Sequence, residues 1–173
     1  KERGLSLLYL GIESGSNLIL KKITKGASQR GIAEAMCKAD DAGLKVSATV
    51  ILGLGGKKHW QAHIDGTIEL LNRAPVTYIS TLQLHLEADI VTEFEAKFGE
   101  LFEMPDDRSI LQEQHRLIRD LNPPKALIFR SNHASNALAL AGNLPRDREK
   151  LLAQLQRALD GNEPLRPWYM RSM

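Results

Sequence analysis

Apolar runs that stop at glycines or polar clusters, each followed by a helical pattern, restrict this chain more than any other feature. Leu5 to Gly11 (LSLLYLG) is almost continuously apolar, as a strand buried on both faces requires. Asn17 to Ile23 follows as a short helix. A second helix is expected from about Ser28 to Gly43, with Ser28 as its cap, Ile32, Ala35, Met36 and Ala39 on one face, and Gly43 at its end. Lys45 to Leu52 (KVSATVIL) reads as a second strand closed by GLGG (Gly53 to Gly56), and a helix runs from about His59 to Arg73. Val76 to Leu84 is the third strand; a polar stretch with a short helix near Glu93 to Leu101 reaches Asp106. Asp106 or Asp107 caps the next helix, whose inner face carries Ile110, Leu111, Gln114, Leu117, Ile118 and Leu121. NPP (Asn122 to Pro124) stops it, because proline lacks a donor and blocks helical geometry before it. Ala126 to Phe129 is a short fourth strand running into RSNHASN (Arg130 to Asn136). A last helix, about Arg146 to Asp160, ends at Gly161, and the tail has no period.

The order is βα, repeated, which predicts an α/β fold with a parallel sheet and right-handed crossovers. The polar punctuation always follows a strand: GIESGS, GLGGKK, LHLEAD, RSNHASN. In a parallel sheet those ends share one face, where barrels and open α/β sheets keep their sites.

Composition narrows the classes. The 173 residues suit one ordinary domain, and 43% hydrophobic with 25% charged is the profile of a folded, soluble chain. Lys plus Arg number 23 against 21 acidic residues, a net charge of +2 that gives no reason to propose nucleic acid or an anionic membrane as partner. No apolar run is long enough to span a bilayer, and no signal peptide is visible. The single cysteine, Cys37, closes no intrachain disulfide, so a cytoplasmic location is expected; it sits mid-helix and is expected to pack as a small apolar residue.

Each motif has a plain reading beside a functional one. GIESGS is either a turn with Ser16 capping the next helix or a loop that brings backbone, Glu13 and Ser14 or Ser16 close to a polar ligand. GLGG is a tight turn or a backbone path near a base, and matches neither the dinucleotide fingerprint nor the P-loop. His59 and His63 have the i, i+4 spacing of zinc ligands, but the Glu of the metalloprotease pattern is absent, so a packed or solvated helix start is favoured over a zinc hydrolase. In RSNHASN, Arg130 can bind an anion and His133 can move a proton; the plain alternative is a self-bonded loop of Asn132, Ser135 and Asn136 with Arg130 paired to Asp147.

Together, LLYLGIESGSNLILKKITKGAS and AGLKVSATVILGLGG resemble the second half of a radical S-adenosylmethionine enzyme, in the branch of Elongator-type and oxygen-independent coproporphyrinogen oxidase-like proteins. The likeness covers Leu5 to about Leu84; FRSNHASN and GNLPRDREKLL look like the C-terminal region of a subgroup of these proteins. The resemblance implies the second half of a partial (β/α)6 TIM-like barrel over residues 1–84, with a mainly helical segment over 85–173 that carries one short strand and continues the barrel. It implies that Glu13, within the Ser14-containing loop, meets the ribose of S-adenosylmethionine and that Lys25 meets its carboxylate. Thr49 matches a position facing the same ligand, and Gly53, Leu54 and Gly55 match the loop against adenine. Gly55 stands where the family has proline, and Lys57-Lys58 where it has Glu-Thr, so a looser adenine loop is expected.

The family's chemistry also needs a Cys-x-x-x-Cys-x-x-Cys loop, whose 4Fe-4S cluster cleaves S-adenosylmethionine to a 5′-deoxyadenosyl radical. Cys37 alone cannot build it. KERGL resembles the tail of a helix, so the chain is expected to be a fragment whose partner is the missing N-terminal half. Such a piece is expected to be inactive, to bind S-adenosylmethionine weakly or not at all, and to self-associate through the exposed edge of its first strand. The competing class is a cluster-free α/β module that binds a nucleotide-like ligand or a protein and does no chemistry.

Overall fold

The computed structural model describes residues 3–171, so Lys1 and Glu2 of the expected helix tail lie outside the described residues. The elements in chain order are β1 (Leu7–Glu13), α1 (Asn17–Lys22), α2 (Gln29–Asp41), β2 (Lys45–Leu52), α3 (Gly56–Arg73), β3 (Tyr78–Gln83), α4 (Val91–Phe98), α5 (Asp107–Asp120), β4 (Leu127–Ser131), β5 (Leu140–Leu144) and α6 (Arg148–Leu159), then a 3₁₀ turn at Trp168–Met170. Local chemistry explains several ends. The Ser28 hydroxyl accepts the Gly31 N–H, and the Asp106 carboxylate accepts the Ser109 N–H, each satisfying an orphan donor at a helix start. Gly43 and Gly161 follow α2 and α6 with positive φ, the conformation that stops a helix at least cost. Ser16 makes no side-chain cap; its carbonyl accepts from Leu20 while its hydroxyl stays out of the capping role the sequence suggested.

The sheet runs β1-β2-β3-β4-β5, parallel from β1 to β4 and antiparallel between β4 and β5. The α/β class and the mostly parallel sheet alternating with helices are as the sequence predicts. β5 is a correction: the C-terminal region carries two strands and not one. Leu140–Leu144 reads LAGNL, and Gly142 and Asn143, poor strand formers, conceal it in the sequence. In the structure Leu140 and Leu144 are buried and pair with Ser131 and Leu127, so tertiary packing overrides propensity.

The two faces of the sheet differ. Ile12, Ala48, Val50, Leu52, Ile79 and Phe129 point to one face and are 0–1% exposed. They form the main core with α2, α3, α5 and α6, through residues such as Met36, Ile64, Leu70, Leu117, Ile118 and Leu155. Burial of each such side chain contributes roughly 1.5–3 kcal/mol. Cys37 packs against this core, as expected. The alternate residues, Tyr9, Gly11, Thr49, Ser80 and Arg130, occupy the other face; Gly11, Thr49, Ser80 and Arg130 form one row across the strands. No helix of the main core covers that row. A smaller cluster, Ile19, Leu54, Phe98 and Phe102, closes only its C-terminal end, where α1 and α4 meet.

The β1–α1 loop and α3 touch at backbone level. A Cβ on Gly15 would collide with the Gly66 carbonyl and lie 2.6 Å from Thr67 Cα, and one on Gly66 would lie 2.8 Å from Ser16 Cα. The Gly15 N–H donates to Thr67 Oγ1 at 2.9 Å. Among the described residues no helix is long and apolar enough to cross a membrane.

Gly15→Ala is expected to cost about 2–3 kcal/mol by overpacking. Gly31→Ala, where a Cβ meets nothing closer than 3.4 Å, is expected to gain about 0.5 kcal/mol. Urea denaturation of both variants checks the contrast; equal midpoints would show that the loop and helix are not in backbone contact.

Candidate functional site

Glu13 ends β1 in an unusual conformation. The pairing of β1 with β2 slips between Gly11 and Glu13, an extra residue that bends the strand end and re-aims its side chain. The Ser14 N–H then donates to the Ile12 carbonyl at 2.6 Å, closing a three-residue turn with Glu13 at its centre. Glu13 has φ +59, left-handed for a residue with a Cβ, which costs of order 1 kcal/mol or more. Its carboxylate folds back over Gly11, where any Cβ would collide with Oε1. Oε1 stands 3.2 Å from Lys25 Nζ, both side chains being about a quarter exposed. The residues proposed from sequence for ribose and for a carboxylate are therefore neighbours, paired with one another.

Ser14 turns the other way. It is fully buried, and its hydroxyl lies 2.8 Å from His63 Nδ1 and accepts the Ser16 N–H. It faces the interior and does not line the cleft beside Glu13. Thr49 is half-buried on the uncovered sheet face, level with Gly11 and Ser80.

The GLGG loop is pinned rather than slack, in contrast to the expectation from Gly55. Gly53 (φ +82) donates its N–H to Glu113 Oε1 at 2.8 Å, and Lys57 N–H donates to the Glu103 carbonyl. A Cβ on Gly55 would stand 2.7 Å from the His59 carbonyl, so the loop is held by close packing against the start of α3. Leu54 is buried in the smaller cluster and faces the cleft.

That cleft, about 350 Å³, opens at the C-terminal ends of β1, β2 and β3. Ile23, Ile51, Leu54, Leu82, Leu84 and Phe94 form its apolar floor, and Glu13, Gln83, His85, His133 and Ser135 its polar rim. The α4 wall is tied down by Glu100, which takes Lys22 at 2.5 Å, His59 at 2.6 Å, and Lys58. Lys22, Lys58 and His59 hold the Glu100 carboxyl well below the usual carboxylate range. His133 reaches the rim, its Nδ1 2.9 Å from Ser135 Oγ. Arg130 does not reach it: its guanidinium sits over the Tyr78 ring at 5.4 Å on the open face. Its expected partner, Asp147, is held instead by Arg146 at 2.9 Å and by the Asn143 N–H. The plain reading of the loop holds for two of its three residues: Asn136 bridges the Gln83 N–H and the Thr81 carbonyl of β3 with Ser131 Oγ, and Ser135 bonds the His133 ring.

The two zinc-spaced histidines diverge. His59 has non-helical angles (φ −118, ψ 15) at a kink in α3 and turns to Glu100, while His63 is buried between Ser14 and Glu113. Among the described residues no group of three or more His, Cys, Asp or Glu is placed to hold a metal ion. Sequence reasoning missed His85, stacked on Trp168 at 4.8 Å, and Glu113, 1% exposed. Glu113 lies between Ile110 and Leu117 on the inner stripe of α5, and that spacing was the available signal.

The tail closes the next compartment. Arg171 pairs with Asp107 at 2.6 and 2.7 Å, and the Trp168 ring contacts both the Arg171 guanidinium and His85. A comparison with family models finds no match for the chain, and a comparison with curated proteins finds none either.

The Arg171 guanidinium, helped by the Gln83 amide, holds Asp107 below its ordinary value of 3.8 against the effect of burial. A depressed carboxylate stabilises fully above the unfolded value and loses that contribution as pH falls through the lower folded value. In a Trp60→Phe background, Trp168 fluorescence is expected to show a step below about pH 4. Asp107→Asn is expected to remove that step; a step that persists in the variant would exclude this tether.

Proposed function

We propose that this chain forms the ribose, carboxylate and adenine side of an S-adenosylmethionine pocket in a radical S-adenosylmethionine enzyme. One observation carries the reading: a strained turn and a glycine cradle aim the Glu13 carboxylate, paired with Lys25, at an apolar cleft walled by Leu54. Strain of this kind is found where function over-determines the backbone. The donor set suits the ligand. A carboxylate accepts from a ribose diol, and an ammonium receives the ligand's own carboxylate, so binding exchanges one internal ion pair for two intermolecular contacts. Leu54 and Ile51 give a base an apolar surface, and the Gly53–Gly55 backbone lets it approach closely. Thr49 stands one strand away on the same open face.

The 4Fe-4S cluster does not fit in this chain. Cys37 is the sole thiol, it lies on α2, and it packs against the main core away from the cleft. Cluster-binding cysteines therefore belong outside these residues, and the radical-forming step is not supplied here. The uncovered sheet face and the β1 edge, with Tyr9 82% and Leu5 50% exposed, are the surfaces that the complementary half covers.

Titration of the isotope-labelled chain with S-adenosylmethionine tests the reading. Weak binding, with a Kd of about 1 mM or higher, is expected. It should move the amides of Gly11–Ser16 and Gly53–Gly55, and Glu13→Gln should abolish the response. No movement in either loop at saturating ligand would overturn the assignment. Light scattering at high concentration is expected to show self-association through the β1 edge; a monodisperse monomer would exclude it. Reconstitution with iron and sulfide is expected to leave the chain without a stoichiometric 4Fe-4S spectrum.

A further inference from the structure

His63 and Glu113 are 0% and 1% exposed, yet neither lines the cleft. Each touches one of the two loops assigned above to the ligand. His63 Nδ1 lies 2.8 Å from Ser14 Oγ, and that oxygen also accepts the Ser16 N–H at 3.0 Å. On the other side of the ring, Nε2 faces Glu113 Oε1 at 3.3 Å, out of line for a regular hydrogen bond and without another partner. The same Glu113 oxygen accepts the Gly53 N–H at 2.8 Å. A line of polar atoms thus crosses the interior from the β1–α1 loop to the β2–α3 loop.

The hydrogens order this line. Ser14 Oγ keeps a second lone pair beside the one that takes the Ser16 N–H, so the far side of the ring decides: a bare Nε2 would set its lone pair against the Glu113 carboxylate, which favours the proton on Nε2 and leaves Nδ1 to accept the Ser14 hydroxyl. In that tautomer the Nε2 proton lies on the side of the Glu113 carboxylate without a regular hydrogen bond to it, and the carboxylate oxygen takes the Gly53 amide. An apolar pair of the same volume would fill this space without the cost of burying an imidazole and a carboxylate, so packing alone does not account for the arrangement.

We propose that His63 and Glu113 are positioning residues, a buried strut that sets the spacing between the Glu13 loop and the Gly53–Gly55 loop. What the strut serves rests on the S-adenosylmethionine reading: the ribose end and the base end of one ligand must be held in register. The strut itself needs no ligand to be detected.

Nuclear magnetic resonance of the labelled chain tests it. The His63 ring is expected as the Nε2–H tautomer, which needs no variant to observe. Ser14→Ala is expected to move the Gly53 amide, and Glu113→Leu the Ser16 amide, each across the ring. Glu113→Gln keeps the acceptor for Gly53 and is expected to restore both positions. An Nδ1–H tautomer, or loop amides that do not respond to the distant substitution, would overturn the proposal. If Glu113→Leu fails to fold, the Ser14→Ala response and the tautomer decide. In the ligand titration, Ser14→Ala and Glu113→Leu are each expected to weaken the loop response about tenfold, Glu113→Gln to leave it near that of the parent chain, and the double variant of Ser14→Ala with Glu113→Leu to show no further loss. Reciprocal amide shifts with no ligand response in the parent chain would leave the strut standing and remove the cofactor reading.

Discussion

The backbone contact between Gly15 and Gly66 sets the frame for everything near the cleft. With no side chain on either residue, the β1–α1 loop settles directly on α3, and the Gly15 N–H finds Thr67. That approach leaves neighbouring residues little choice. Ser14, on the inner side, meets His63 one turn before Thr67 on the same helix. Glu13, on the outer side of the same turn, is pushed into left-handed geometry and out to the cleft. One loop thereby separates a buried hydroxyl from a carboxylate about a quarter exposed, across a single peptide unit.

Polar groups in the interior are concentrated at the C-terminal ends of the strands. Gln114 donates to Thr81 and Ser131, Asn136 joins β3 to β4, and Glu113 takes Gly53. A satisfied buried network of this kind fixes geometry more than it adds stability, because the groups lose as much solvation as they gain in contacts. The exposed pairs on helices, Arg30–Glu34 and Arg73–Glu69, contribute only about 0.3–0.5 kcal/mol each. Stability comes from the apolar core on the helix-covered face, and shape at the site comes from the polar network above it.

Much of this was legible in the sequence, and the failures have physical reasons. Strand ends, helix caps at Ser28 and Asp106, and the run of βα units follow from local rules of periodicity and capping. β5 did not, because LAGNL satisfies no strand propensity and is held by its partner and by the core. The alternative that pairs Arg130 with Asp147 rests on charge alone, whereas Arg146 is the adjacent residue and wins by proximity. The glycines of GIESGS looked like ligand contacts or turn residues. Their closest demands come from Glu13 and from α3, which no local pattern could reveal. Glu113 was overlooked because a carboxylate on an apolar stripe reads as a solvated exception, and here it is the residue that the Gly53 amide requires.

The change of direction at β5 gives the sheet a polarity of growth. Four strands run parallel, and each helical connection adds the next strand beside the last. The antiparallel return of β5 ends that rule on one side, and any strand laid beside it would have to follow a different connection. At β1 the rule still holds: a strand placed there in parallel would extend the row through Gly11, Thr49, Ser80 and Arg130 and carry the uncovered face onward. Parallel growth can therefore continue from one margin only, and that margin is the one that carries Glu13.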